Sequence, residues 1–216
     1  MTAVACATQI DWSGVGAVMQ GVAALIAAGA AAVTARFGVR ALTAWRSEMI
    51  GRRKAELAEE IISTANEAVE AIAQGRWVAS FGDEGSSYPG MGQVAEDLRS
   101  SVKGYFAPAE RLLAKPELWG RTEALKFRAK AFFGDEVAEA LMAILRVRIQ
   151  VHNASLMLVR NVLRPDALQM SPELVEGMEK KIWDWEQPDD PFKTALAGAL
   201  ATVERVCGPS ITERSG

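Results

Sequence analysis

Along the first third of the chain, apolar and charged residues are separated rather than mixed. Asp11 and Arg36 bracket a run, Trp12 to Ala35, that contains no charged residue. As a helix this run is about 36 Å long, enough to cross a hydrocarbon layer of roughly 30 Å. From Lys54 the pattern changes: Leu57, Ile61, Ala65, Ala68/Val69, Ile72 and Trp77 recur at helical spacing, with charges between them. No proline precedes Pro89, so one helix is expected to continue from the first pattern into the second.

The periodicity lapses in SFGDEGSSYPGMG, residues 80–92, which reads as a long Gly- and Ser-rich loop. It resumes near Gln93 with Val94, Leu98 and Val102, and Pro108 breaks or kinks that helix. Pro116 suits the first turn of another helix through Leu118, Leu125 and Phe132, ending near Gly134. Asp135 then caps the longest pattern: Val137, Leu141, Ile144/Leu145, Arg148, His152, Leu156, Val159 and Leu163, stopped by Arg164-Pro165. Ser171-Pro172 and Asp190-Pro191 each combine a cap with a first-turn proline. They start helices through Leu174, Met178 and Ile182 and through Leu196, Leu200 and Val203, and Gly208-Pro209 is expected to stop the last. No stretch alternates like a strand. The expected fold is all-α: one N-terminal transmembrane helix continuing into a cytoplasmic bundle of about five or six helices. The expected division is a short extracytoplasmic tail (1–11), a transmembrane helix (12–35), a basic juxtamembrane helix (36–54), a helical domain (55–208) and a frayed tail (209–216).

Charge fixes the expected orientation. Arg36, Arg40, Arg46, Arg52, Arg53 and Lys54 follow the uncharged run against Glu48 alone, while only Asp11 precedes it. The positive-inside rule places the N-terminus outside and the rest in the cytoplasm, with these cations positioned for anionic lipid headgroups and Trp12 and Trp45 at the interfaces. The leading MTAVACATQID lacks Lys and Arg, and the run is too long for a signal core, so no cleaved signal is expected. The run is mostly Ala and Gly, which gain little from lipid. A buried Ala-rich helix in a soluble bundle is therefore the competing reading. The same composition predicts a helix partner: Ala17, Gly21, Ala24, Ala28 and Ala32 fall at three- and four-residue spacing, letting a second helix approach closely. That partner is a second copy or another membrane protein.

Elsewhere the chemistry is sparse. Half of the 216 residues are apolar, enough for a core, and the net charge of −3 with interleaved signs argues against a nucleic-acid partner. Cys6 and Cys207 lie near opposite ends, without the spacing of a zinc site or disulfide framework, and on opposite sides of the expected membrane. His152 is the only histidine, one turn from Arg148. Ile149 occupies the position three before it, so the Glu-x-x-His of a di-iron bundle is absent. The loop has the glycines of a phosphate cradle but no Gly-Lys-Ser/Thr. No residue set points to catalysis, a metal or a cofactor. The expected contact residues are Phe81, Asp83 and Glu84 in the loop, and Trp183 and Trp185 in the acidic joint Ile182–Phe192.

Several stretches together resemble a family of uncharacterised bacterial membrane-anchored helical proteins. They are Trp45-Arg46 with Ile50 through Glu60, the loop Phe81 to Ser86, the joint Ile182-Trp183 to Asp190-Pro191, and Val206-Cys207. The resemblance implies a bacterial inner-membrane address and carries no catalytic residues. The favoured expectation is a non-enzymatic, membrane-tethered interaction protein, either a homo-oligomeric scaffold or an accessory subunit of a membrane complex. The alternatives are a membrane-bound enzyme or ligand sensor, with His152, Arg148 and the Gly-rich loop lining a pocket, and, more weakly, a holin-like pore former.

Overall fold

The structure, a computed structural model, describes residues 12–79, 82–164, 169–185 and 189–212, without the side chains of 12–19, 22–27 and 32. The described residues are all helical or irregular, with no strand. Six α-helices follow in order: α1 (Trp12–Gly75), α2 (Arg99–Leu113), α3 (Pro116–Phe133), α4 (Asp135–Val162), α5 (Pro172–Ile182) and α6 (Pro191–Thr212). Two short 3₁₀ turns, Met91–Gln93 and Glu96–Leu98, precede α2. The chain forms two compact units, Met1–Gly51 and Arg52–Gly216, and α1 belongs to both.

In the second unit α4 is the central helix, packed against α2, α3, α5 and α6. Its buried positions, Val137, Leu141, Ile144, Val147, Val151, Ala154 and Leu158, recur at intervals of three and four. They join Leu57, Ile61, Ala65, Ala68 and Ile72 of α1, Leu118 and Leu125 of α3, and Leu196, Val203 and Cys207 of α6 in one core. Ala55, Ala58, Ala65 and Ala68 are completely buried, so here alanine serves close helix approach. A smaller cluster of Val94, Val102, Phe106, Ala109 and Val159 is closed by Tyr88, Met91 and Leu98 from the segment before α2.

Several helix ends differ from the sequence expectation. Gly134, at φ 87°, precedes α4, and Asp135 is its first residue, ion-paired to Lys130 at 2.7 Å rather than capping. Helix α2 begins six residues after Gln93, because Met91–Gln93 and Glu96–Leu98 form 3₁₀ turns instead. It continues through Pro108, which cannot donate to the Gly104 carbonyl. The next carbonyl, that of Tyr105, accepts the Ser155 hydroxyl from α4. Helix α6 runs past Pro209 to Thr212, since a proline in a last turn removes only one hydrogen bond.

In the first unit α1 has no covered face among the described side chains from Ala28 to Glu48. Val33, Phe37, Val39, Leu42 and Trp45 are between 48% and 65% exposed. Among the described residues no helix is long and apolar enough to cross a membrane. Most side chains of the segment expected to span, residues 12–35, lie outside the described residues.

Candidate functional site

Three arginines in the second unit have very different surroundings. Arg76, just past the end of α1, is 3% exposed. Its Nε donates to the Lys181 carbonyl at 2.9 Å, and one terminal nitrogen donates to the carbonyls of Lys180 at 3.1 Å and Trp183 at 3.3 Å. The other terminal nitrogen pairs with the Asp190 carboxylate at 2.7 Å. Phe192 lies against the guanidinium, 5.1 Å from its ring centre. Asp190 also accepts the Phe192 N–H at 2.8 Å, capping α6. One cation therefore terminates the carbonyl end of α5, where a helix carries partial negative charge, and holds the cap of α6. The role of Arg76 leaves no local sequence signal, because its partners lie more than a hundred positions away. The Asp190-Pro191 cap was the only local signal at the joint.

The Gly-rich segment is anchored in the same manner rather than left open. Arg111 donates to the carbonyls of Trp77 at 2.7 Å and Ala79 at 2.6 Å, and binds Glu84 through both carboxylate oxygens at 3.2 and 2.5 Å. Its neighbour Glu110 accepts the backbone N–H groups of Gly85 and Ser87. Lys103 pairs with Asp83 at 2.7 Å, and Tyr88 meets Phe106 edge-on at 5.4 Å. Gly85 has φ +80°, and a Cβ there would fall on the Lys103 carbonyl oxygen. The expected contact residues Asp83 and Glu84 thus fasten this segment to α2, and the Gly85 and Ser87 N–H groups are taken by the Glu110 carboxylate. Phe81 lies outside the described residues.

Arg148 differs from both. Its guanidinium stacks over the buried Trp119 ring at 4.9 Å, and its Nε is buried with no hydrogen-bond acceptor. The carboxylate acting on it, Glu123 of α3, is ion-paired with Lys126. Burial pulls the Arg148 guanidinium below its ordinary value, with Glu123 opposing that shift. His152, one turn further and half-buried, is also held below its ordinary value, first by burial and then by the Arg148 charge. At neutral pH this corner therefore carries one positive charge. Arg148 lies against Trp119 of α3, whereas the described part of the Gly-rich segment is fastened to α2. Among the described residues no cluster of His, Cys, Asp and Glu is arranged to hold a metal.

Trp183 and Trp185 separate in role. Trp183 is half-buried against the core, and Trp185 is 51% exposed. Both line a cleft of about 370 Å³ with Gln150, Lys181 and Phe192, and Trp185 also borders a cleft of about 420 Å³ with Trp77 and Val78. A further cleft of about 330 Å³ is bounded by Arg111, Glu84 and Lys115. Cys207 is fully buried, and burial pushes its thiol up to about 11, which keeps it protonated and inert at neutral pH.

In the first unit, Arg36, Arg40 and Arg46 are exposed, as are Arg52 and Arg53 at the start of the second. Lys54 is withdrawn from that basic collar: its ammonium lies 5.3 Å from the centre of the Phe133 ring. Of the expected helix-packing positions, Gly21 and Ala28 are exposed, while the side chains of Ala17, Ala24 and Ala32 lie outside the described residues. The fold and its centres define a class: an all-α bundle whose most buried arginine serves structure, preceded by a helix stretch whose described side chains are exposed. No protein-family model, curated protein or solved structure matches the chain.

Proposed function

We propose that this chain is a non-enzymatic interaction protein, tethered to a membrane through the helix of its first unit and presenting the helical bundle as a docking module. The observation that carries the reading is the uncovered stretch of α1. A helix that exposes Val33, Phe37, Leu42 and Trp45 to water has no tertiary packing to stabilise it. Val33, Phe37, Ala41 and Ala44 share a face, and Arg36, Arg40, Thr43 and Ser47 share the face beside it. The Thr43 and Ser47 hydroxyls donate to carbonyls of their own helix at 2.8 Å, as does Thr34 at 2.9 Å, which lowers the cost of placing them in apolar surroundings. A Cβ added at Gly21, Gly29 or Gly38 would meet nothing within 4 Å among the described residues. Each costs about 1 kcal/mol of helix stability relative to alanine, a cost that close approach of another helix offsets.

In this reading lipid and a second helix cover the uncharged run. Arg36, Arg40, Arg46, Arg52 and Arg53 meet anionic headgroups on the cytoplasmic side of a bacterial inner membrane, with the N-terminus outside. The partner is another copy of the chain or a membrane-protein subunit. Carbonate extraction of native membranes, combined with photo-crosslinkers at Phe37 and Trp45, tests it. The expected result is a carbonate-resistant protein crosslinked to a second helix. A carbonate-soluble monomer with no crosslinks at either position overturns it.

A further inference from the structure

We infer that the cleft of about 370 Å³ where α4, α5 and α6 meet binds a small aromatic monoanion, a flat ring carrying one carboxylate. This site belongs wholly to the second unit and does not depend on the membrane reading.

Trp183, Trp185 and Phe192 line the cleft together with Gln150 of α4 and Lys180 and Lys181 of α5. A volume of this size holds a molecule of one or two rings, and aromatic walls with a few polar groups suit a flat apolar body. Trp185, 51% exposed, offers apolar surface that a ring seated beside it removes from water. The frame is fixed before any ligand arrives. Arg76 binds the carbonyls of Lys180, Lys181 and Trp183 and the Asp190 carboxylate, joining the end of α5 to the start of α6. The Asp184 N–H donates to the Arg76 carbonyl at 2.8 Å and its carboxylate pairs with Lys193 at 2.8 Å, so the residue before Trp185 is held by backbone and side chain. Walls held in this way lower the ordering cost of binding.

Charge selects the ligand. Read as a sequence, the joint Ile182–Phe192 is aromatic and acidic, but folding pairs off its acids. Asp190 lines the cleft and is matched by Arg76, Asp184 is matched by Lys193, and Asp189 is not among the lining residues. Lys180 is matched by Glu176 at 2.6 Å. Half-buried Lys181 has no ion pair among the described residues, so the cleft keeps one positive charge. An ammonium beside apolar walls favours a single carboxylate and disfavours an amine.

Ligand-detected saturation-transfer NMR on the full chain tests it, with sodium benzoate, indole-3-acetate and 2-naphthoate as probes. Saturable binding with a Kd below about 1 mM is expected for at least one of them. The corresponding uncharged amide binds about tenfold more weakly, and sodium acetate, which lacks the ring, gives no saturable signal. Lys181→Gln brings the acid down to the level of its amide and leaves the amide unchanged. Trp185→Ala, at an exposed position, weakens acid and amide alike by about tenfold. Urea midpoints near that of wild type check that both variants are folded. No saturable binding of any probe by wild type overturns the inference, as does undiminished binding in both variants, which would put the site elsewhere. An amide or amine that binds as tightly as the matching acid overturns the assignment to an anion.

Discussion

Before Gly51 and after it, α1 is built from similar residues with opposite fates. Between Ala55 and Ile72 its apolar residues at three- and four-residue intervals are sealed, several at 0% exposure. Between Ala28 and Glu48 the described alanines, valines and aromatics alike lie open. Helical continuity is common to both stretches, so propensity does not separate them. Burial does: four helices pack against α4 to make the core that receives the second stretch, and the described side chains of the first are exposed. One long helix therefore has a stretch that is sealed into the core and a stretch whose described side chains are exposed.

The sharpest way to break that contrast is Arg76→Met, which strips the bundle of its central cation. It leaves Asp190 buried and unpaired and the last carbonyls of α5 uncapped, with an expected loss of about 3–5 kcal/mol in urea denaturation. Adding Asp190→Asn removes the stranded charge while keeping a capping oxygen, and recovers a substantial part of the loss. No recovery in the double variant would mean that Asp190 acts through something other than this pair.

Next in size is a pair of truncations to alanine on the two stretches of α1. Ile61→Ala, at a position with 0% exposure, loses about 2–5 kcal/mol, and Leu42→Ala, at 48% exposure, changes stability by less than about 0.5 kcal/mol. The same Leu42 variant is expected to weaken crosslinking of the first unit to its partner. Equal stability losses at both sites would erase the distinction between covered and uncovered helix.

Gly85→Ala follows, with about 1–3 kcal/mol lost because the new Cβ meets the Lys103 carbonyl at a backbone conformation that disfavours side chains. Faster hydrogen exchange is expected at Ser86 and Ser87, where the Glu110 and Asp83 contacts loosen. Unchanged exchange there would show that the segment is held by Arg111 and Lys103 alone.

The smallest effect is the pH dependence from His152. Its folded value lies below the ordinary 6.5, so the folded protein resists a proton that the unfolded chain accepts. The resulting stability is complete above that ordinary value and is lost as the pH falls through the folded one. Comparing wild type with His152→Asn by urea denaturation between pH 7.5 and 5 should show less acid sensitivity in the variant. An identical slope would place His152 outside the coupling.

Much of the helical order was legible because its signals are local. Pro116, Pro172 and Pro191 each begin a helix where first-turn proline is tolerated, and Ser171 accepts the Leu174 N–H as a capping serine does. The alternation of apolar and charged residues after Lys54 likewise marks the buried stripe of α1. Periodicity alone misplaced part of α4: Arg148 and His152 fit the same spacing as the core but lie at its edge, while Val147, Val151 and Ala154 are inside. A stripe read at one residue in three or four is about as wide as the error in its centre, and only the neighbouring helices determine which side is closed.

The sequence alone determined that the chain is all-α, where most helices begin, and that its first stretch is uncharged and flanked by arginines, because each of these depends on residues within a turn or two of one another. The tertiary structure decided which cations are matched. Arg76 meets Asp190, Arg111 meets Glu84, and Arg148 keeps a buried Nε without an acceptor beside Trp119. Those differences arise from pairs of residues far apart in the chain, and three arginines of the same type acquire distinct chemistry only when the helices close around them.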